Sequence, residues 1–271
     1  IYLAAYHQSR FGKLGAATVP EMLAAAVGGA CGEIGCSAAQ IDVATVAAAC
    51  NFTLNRQGLL GGLVASIPGL AGKPIEAVEN ACASGGQAVL AVAQKLLLGI
   101  GEVGIAVGYE KMRGDDGKVD GARVGEVLGY FSHPDERAGK VYVFPHLFAE
   151  IMAEYMSTWK VSEEDLARIA VAEYANAGHN PDAQMNGVAL SLEQAMTIAG
   201  PNRYIVDGLP LKTYDSSQIT DGHAALILAT EEGSKEVHAG ADLAREVVDA
   251  LERISGMVDE TTTAAKEISI A

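Results

Sequence analysis

The sequence predicts an α/β fold, and three observations lead to that prediction. The chain has 271 residues, of which 49% are hydrophobic and 20% charged, a composition typical of a globular protein with a sizeable core. Apolar segments of strand length alternate with segments of helical periodicity. A stretch rich in glycine and charge interrupts this alternation. We therefore expect an α/β domain formed by residues 1–112 and 209–232, with an inserted, mainly helical domain of residues 113–208.

The main body of the chain supplies the strands and helices of the predicted sheet. "IYLAAYH" at residues 1–7 is typical of a strand, and the predicted helix at 19–35 has Pro20 in its first turn, where a missing N–H costs nothing. The other predicted elements follow in order: strand 41–49, strand 74–80, helix 83–98, strand 102–110 and, beyond the insertion, strand 221–230. In the helix at 83–98 apolar residues occupy all faces, so we expect a central helix covered by protein on every side.

The insertion contains two predicted helices of its own. "HLFAEIMAEYMSTW" at residues 146–159 repeats large apolar side chains every four residues. The next helix is predicted at 162–178, because Ser162 and Asp165 have the spacing of a capping box and Gly178 stands at its end. The excursion between two strands of the sheet is therefore expected to fold as a helical unit.

Residues 233–271 predict a helical tail. Apolar residues recur there in alternating steps of four and three, which is coiled-coil spacing; they are Val247, Leu251, Ile254, Val258, Thr261, Ala265 and Ile268. We expect residues 242–271 to form one long helix. The spacing fits a helix that drives oligomerisation and equally an amphipathic helix packed on the rest of the chain.

Charge and cysteine content exclude several classes of protein. The formal net charge of −15 disfavours nucleic acid and anionic membrane surfaces as partners, since both attract clustered Lys and Arg. No apolar run is long enough for a membrane span, so we expect a cytoplasmic protein. The four cysteines are sparse for a disulfide framework, and their separations match no usual zinc site. We expect reduced thiols and no bound metal.

Cys82 is the candidate nucleophile. It lies between a predicted strand and a predicted helix, where free backbone N–H groups and the helix dipole stabilise a thiolate. Its neighbours in "NACASGGQA" are small enough to allow a substrate to approach closely. The alternative is that Cys82 is a small core residue at a tight turn.

Several motifs resemble those of one enzyme family. "NACASGGQA" is similar to the nucleophile motif of thiolases, and "VGYEKM" resembles the strand end that follows it there. "SRFGKLG", "YANAGHNPDAQM" and "YDSSQITDGHAALILAT" are similar to the sterol-carrier-protein-x type and the archaeal branch of that superfamily. The resemblance covers residues 1–232 and implies the first half of a thiolase, a mixed βαβαβαββ-type sheet with a buried helix.

The resemblance also implies a chemistry. Cys82 would take the acyl group from an acyl-CoA thioester, for Claisen condensation or for thiolysis of a 3-ketoacyl-CoA, with coenzyme A as part of the substrate and no separate cofactor. Backbone N–H groups, one of them that of Cys82, would bind the oxyanion. The family's insertion covers the pantetheine of CoA, which makes His146 and Phe148 candidate substrate-binding residues. A histidine in an amphipathic helix is more often structural, and the same interpretation applies to His179 and His223.

The sequence departs from the family in one respect. Thiolases have two similar halves, and the second carries a catalytic histidine in a "GHP" loop; this sequence has no "GHP" and no cysteine after Cys82. We expect an enzyme that is incomplete in this chain, with the second half supplied by another chain or by a longer version of this one. We also expect a homo-oligomer, a dimer or tetramer. The alternatives are a non-catalytic acyl-CoA-binding or partner subunit, and a structural chain whose tail sets its oligomeric state.

Overall fold

A five-stranded mixed sheet forms the centre of the computed structural model, which describes residues 1–237 and Arg253. Its strands lie in the order β1-β5-β4-β2-β3. Their bounds are Tyr2–Gln8 for β1, Val43–Ala47 for β2, Ile75–Val78 for β3, Val103–Glu110 for β4 and Gly222–Ala229 for β5. β2 is parallel to β3 and β4, whereas β5 is antiparallel to β4 and β1. The predicted mixed sheet and the existence of all five strands are thereby confirmed.

The helix α1, Val19–Glu33, covers one face of the sheet. The Thr18 side chain accepts a hydrogen bond from the Glu21 N–H, the Glu21 carboxylate accepts one from the Thr18 N–H, and Pro20 lies in the first turn. The apolar side of α1 is buried against the strands and against a short helix, α3 (Leu60–Ala65), which the sequence did not predict. Another unpredicted short helix, α2, spans Asn51–Asn55.

The helix α4, Ser84–Leu97, covers the opposite face. Its buried residues Ala88, Val92 and Leu96 contact β2 and β4, and a Cβ at Gly104 of β4 would lie 2.5 Å from Val92 Cγ1, so glycine permits this close approach. Its outer side is open: Leu97 is 75% exposed. The expectation that protein covers this helix on every side is therefore wrong for the part of the chain that the structure describes, because the sheet contacts only one side.

Between β4 and β5 the chain forms a helical segment. It contains α5 (Gly121–Gly129), α6 (Pro134–Arg137), α7 (Val143–Trp159), α8 (Glu163–His179) and α9 (Leu192–Met196). The two predicted helices correspond to α7 and α8, and the Ser162–Asp165 capping box is present at the start of α8. The bounds of the predicted domains remain a prediction, although every strand of the sheet lies within residues 1–112 or 209–232.

Asp221 joins the two ends of this segment. Its side chain is buried, and one carboxylate oxygen accepts hydrogen bonds from the N–H groups of Met112 and Arg113 at 2.8 and 2.9 Å. The other oxygen accepts from the Leu14 N–H at 3.3 Å. One carboxylate therefore holds together the end of β4, the start of β5 and the loop after β1.

The chain after β5 turns into a helix at residues 231–237, whose Val237 is buried in the core on the α1 side. The predicted heptad helix at 242–271 lies outside the described residues except for Arg253. In the portion described, no helix combines the length and apolar character needed to cross a membrane.

Candidate active site

Cys82 occupies a sharp turn between β3 and α4. A single 3₁₀ turn, Ala81–Ala83, connects the two elements, and the Cys82 side chain is exposed. Ala81 has a φ of 46°, a left-handed conformation that residues other than glycine adopt at a cost. The turn places the thiol at the N-terminal end of α4, as the sequence predicted, and excludes the alternative of a buried core cysteine within this chain.

Ser84 holds this turn in place. Its hydroxyl oxygen accepts a hydrogen bond from the Asn80 N–H at 2.8 Å, and the hydroxyl donates to the Ala81 carbonyl oxygen at 2.7 Å. Ser84 is buried, so water does not compete freely for these bonds. In the sequence, Ser84 stands out only as one of the small neighbours of Cys82, whereas its two hydrogen bonds show that it positions the turn.

A cavity of about 670 Å³ opens beside Cys82. It is lined by the turn itself, the first residues of α4, the end of β4, the start of β5 and residues that lead into and out of the helical segment; polar groups that line it include Glu110, Ser217, Gln218, Thr220 and His223. Most of the lining is apolar, with a few polar groups, which is typical of a site for a small organic ligand.

Glu110 ends β4 at the floor of this cavity. Its carboxylate accepts hydrogen bonds from the N–H groups of Ala49 and Cys50, the latter at 3.3 Å, and so holds the loop that follows β2. Burial raises the pKa of Glu110, and the nearby Glu79 adds to this, against the lowering effect of the two N–H donors. Glu110 belongs to the motif "VGYEKM", but its place at the cavity was not predicted from the sequence.

A second thiol, Cys50, lies in the same cavity but differs in chemistry. It is buried, and burial together with the negative charge of Glu110 raises its pKa to about 12. A thiol with that pKa stays protonated at neutral pH and is a poor nucleophile. Of the two cysteines in the cavity, Cys82 is therefore the one suited to attack a substrate.

His223, at the start of β5, is also at the cavity. It is buried, its ring lies 6.2 Å from that of His7, and its Nδ1 has no hydrogen-bond partner among the described residues. Burial and the nearby His7 lower its pKa, which keeps the imidazole neutral at physiological pH. From the sequence, His223 was expected to be structural; its place beside the cavity depends on the pairing of β5 with β4, which the sequence alone does not reveal.

His146 and Phe148, the two predicted substrate-binding residues, are not among the residues that line the cavity. His146 pairs with Glu150 on α7 at 3.3 Å, and Phe148 is 60% exposed. Phe148 is nevertheless connected to the cavity, because its ring contacts that of Phe144, which stacks on Phe131 in the cavity wall. Their roles in binding stay predictions.

A second, mostly apolar cavity of about 470 Å³ adjoins the first. The two share Phe11, Ser217, Gln218 and Thr220 in their linings. Side chains of α8, including Ile169, Tyr174 and Ala177, form much of its wall. The helical segment thus extends the space available to a ligand beside Cys82.

Comparison with known proteins gives consistent matches. The sequence profile of the family described as "Thiolase, N-terminal domain" matches residues 4–189. The acetyl-CoA acetyltransferase of Methanothermobacter thermautotrophicus is 30% identical over 242 residues, which cover 89% of this chain and 57% of that protein. Sterol carrier protein 2 of Oryctolagus cuniculus is 31% identical over 179 residues, 62% of this chain and 30% of that protein. The chain thus spans little more than half the length of the first of these relatives.

The fold matches as well. The crystal structure of human mitochondrial 3-ketoacyl-CoA thiolase in complex with CoA superposes with a TM-score of 0.62 at 18% identity, covering 87% of this chain and 66% of that one. The likeness in fold agrees with the sequence profile and with the archaeal and sterol-carrier relatives. The resemblance seen in the motifs is therefore confirmed, and the chain belongs to the thiolase family.

Proposed function

We propose that this chain is the nucleophile-bearing half of a thiolase-type acyltransferase, in which Cys82 carries the acyl group of an acyl-CoA as a thioester. The observation that supports this most directly is the exposed Cys82 thiol at the N-terminal end of α4, beside a cavity of about 670 Å³. Membership of the thiolase family supports the same chemistry at the level of the reaction class.

The first step is a thioester exchange. The Cys82 sulfur attacks the carbonyl carbon of the acyl-CoA, the carbonyl oxygen gains negative charge, and the carbon–sulfur bond to CoA breaks. The acyl group stays on Cys82, and the CoA sulfur leaves as a thiolate that takes up a proton. Backbone N–H groups of the turn, including that of Cys82, are the proposed donors to the oxyanion.

The second step requires groups beyond those described. Condensation needs a base that removes a proton from the second acyl-CoA, and thiolysis needs a base that activates the incoming CoA. Glu110 and His223 lie on the β4–β5 side of the cavity. Burial and contacts with neighbouring residues keep both side chains in place there. We propose that a second thiolase-like unit supplies the base and packs over the exposed outer side of α4, which carries Leu90, Leu97 and Leu98.

The adjoining apolar cavity is the proposed place for an acyl chain longer than acetyl. It shares four lining residues with the Cys82 cavity, so a long acyl chain on the Cys82 sulfur has an apolar space next to it. His146 and Phe148 remain proposed contacts for the pantetheine, with the ring row from Phe131 through Phe144 as its path.

Acylation by acyl-CoA tests the first step. Incubation with acetyl-CoA is expected to add one acetyl group per chain, seen by intact mass, with release of one equivalent of CoA. Cys82→Ser is expected to abolish both, whereas Cys36→Ser, a matched change at the distant end of α1, leaves them unchanged. Acylation of a different residue, or none at all with a folded wild-type chain, would contradict the proposal.

A further inference from the structure

The end of α1 brings two further thiols together. Cys31 is buried and Cys36 is partly exposed, and neither lines the Cys82 cavity. Gly35, which follows the cap residue Ile34 of α1, has the left-handed conformation, at a φ of 63°. The Gly35 N–H donates to the Gly32 carbonyl oxygen at 3.3 Å, and the Cys36 N–H donates to the Cys31 carbonyl oxygen at 3.0 Å. These two bonds define a Schellman motif.

This motif explains why the two side chains meet. In a Schellman motif the residue two positions beyond the helix cap contacts the residue three positions before it. Those two positions hold Cys36 and Cys31, and both side chains belong to the same apolar cluster on the α1 face of the sheet. The two thiols interact strongly enough that each shifts the pKa of the other. The backbone of the motif thus brings these two cysteines together at the end of α1.

The two thiols are unequal, and the inequality suits a two-step reaction. The interaction with Cys36 and burial raise the pKa of Cys31, and the interaction with Cys31 lowers the pKa of Cys36. Cys36 is the more exposed of the two, so a dissolved disulfide reaches it first, and Cys31 is buried beside it. In thiol–disulfide exchange the first attacks an external disulfide and the second resolves the mixed disulfide.

We propose that Cys31 and Cys36 are a redox-active dithiol, a second thiol site separate from Cys82, which a low-molecular-weight disulfide such as glutathione disulfide converts to an intrachain disulfide. The Cys36 sulfur attacks one sulfur of glutathione disulfide, forms a mixed disulfide and releases one glutathione. Cys31 then attacks the Cys36 sulfur, loses its proton and releases the second glutathione. The protein loses two protons and two electrons, and glutathione disulfide gains them as it becomes two glutathione thiols.

The surroundings of the pair favour this chemistry over two others. In residues 1–237 no group of three or more His, Cys, Asp or Glu side chains is placed to hold a metal ion, so these thiols are not part of such a site. Cys50 does not compete as a partner, since it lies in the Cys82 cavity and its pKa is raised. The close approach of the two backbones at Cys31 and Cys36 is compatible with a disulfide between them.

Peptide mapping in glutathione redox buffers tests the proposal. Wild type and Cys82→Ser are equilibrated with oxidised and reduced glutathione, quenched with acid and alkylated. Cleavage after Glu33 separates Cys31 from Cys36, so the two peptides stay linked only through a disulfide. We expect the linked pair in both proteins, with its loss on addition of dithiothreitol. Stable glutathione on Cys36 with Cys31 alkylated, or alkylation of both while Cys82 forms a mixed disulfide, overturns the proposal.

A trivalent arsenical gives an independent readout on the reduced protein, because it binds two adjacent thiols together. Because Cys50 and Cys82 share a cavity, the test is made in the Cys82→Ser background. Phenylarsine oxide is expected to bind one per chain in Cys82→Ser, and to be lost when Cys36→Ser is added. Circular dichroism establishes that the double variant is folded. Retention of the arsenical by the double variant, or no binding to Cys82→Ser, counts against the dithiol, and neither result depends on the activity proposed for Cys82.

Discussion

Replacement of Ser84 by alanine tests whether the turn that carries Cys82 depends on one hydroxyl. The hydroxyl makes two hydrogen bonds, one from the Asn80 N–H and one to the Ala81 carbonyl oxygen. Each is worth about 0.5–1.5 kcal/mol net, so Ser84→Ala is expected to lower the free energy of unfolding by about 1–3 kcal/mol. Without the hydroxyl, Ala81 can relax from its left-handed φ towards a negative φ, which relieves strain and offsets part of this loss while it changes the shape of the turn.

The same change is expected to move Cys82 relative to the cavity. We expect acylation by acetyl-CoA to slow by about tenfold, which corresponds to about 1.4 kcal/mol of activation free energy. Urea unfolding measures the loss of stability, and CoA release measures the rate. Ser66→Ala is the matched control, because its hydroxyl donates one hydrogen bond to the Leu63 carbonyl oxygen in an exposed turn. We expect only a few tenths of a kcal/mol for that control.

A second variant separates strain from bonding. Ala81→Gly in the Ser84→Ala background lets residue 81 keep a positive φ without steric cost, so part of the acylation rate is expected to return. If Ser84→Ala unfolds and reacts as wild type does, the hydroxyl does not position the turn. If Ser84→Ala is destabilised but reacts at the wild-type rate, the two bonds serve stability alone.

Three further predictions concern other parts of the structure. Asp221→Ala removes a buried carboxylate that accepts three backbone hydrogen bonds, so we expect the free energy of unfolding measured in urea to fall by at least about 3 kcal/mol. A smaller fall would contradict the role of Asp221 in joining the two ends of the helical segment. Because burial raises the pKa of Glu110, the folded state binds its proton more tightly than the unfolded state. Stability is then expected to fall as pH rises from about the ordinary value of 4.5 through the raised folded pKa, and Glu110→Gln should flatten that slope in unfolding measured across pH. Ala177→Phe fills the apolar cavity, so we expect it to slow the acylation of Cys82 by long-chain acyl-CoA at least about tenfold, with little effect on acylation by acetyl-CoA. Ala175→Phe, an exposed change on the same helix, is expected to leave both acylation rates unchanged.

The elements that the sequence predicted best are those whose signals are local. The capping box at Ser162, the proline at the start of α1 and the apolar runs of β4 and β5 each depend on neighbouring residues alone. The short helices α2, α3 and α9 were missed because five or six residues contain too little periodicity to distinguish a helix from a loop.

The candidate site shows the same division. Cys82 was predicted because a strand, a turn of small residues and a helix follow one another along the chain. Glu110 and His223 were missed because they meet only through the antiparallel pairing of β4 with β5, in which Glu110 lies opposite Gly222. The register between two strands that lie so far apart in the sequence cannot be predicted from the residues next to either strand. The exposure of Leu97 likewise depends on whether protein packs on the outer side of α4. The apolar pattern of α4 alone does not predict this.

The position of β5 constrains the order in which this chain acquires its fold. β5 lies between β1 and β4, so β1 has no neighbour in the sheet until residues 222–229 have been synthesised. During translation β1 therefore stays unpaired until the roughly 110 residues between β4 and β5 have been synthesised. Closing the loop between β4 and β5 costs about 4 kcal/mol of chain entropy. Until then β4 presents an unpaired edge on one side and β1 is a single strand. Among residues 1–237, β5 is the last strand to be synthesised and the one that completes the sheet, so we expect the nascent chain to fold slowly and to need protection of the unpaired β4 edge.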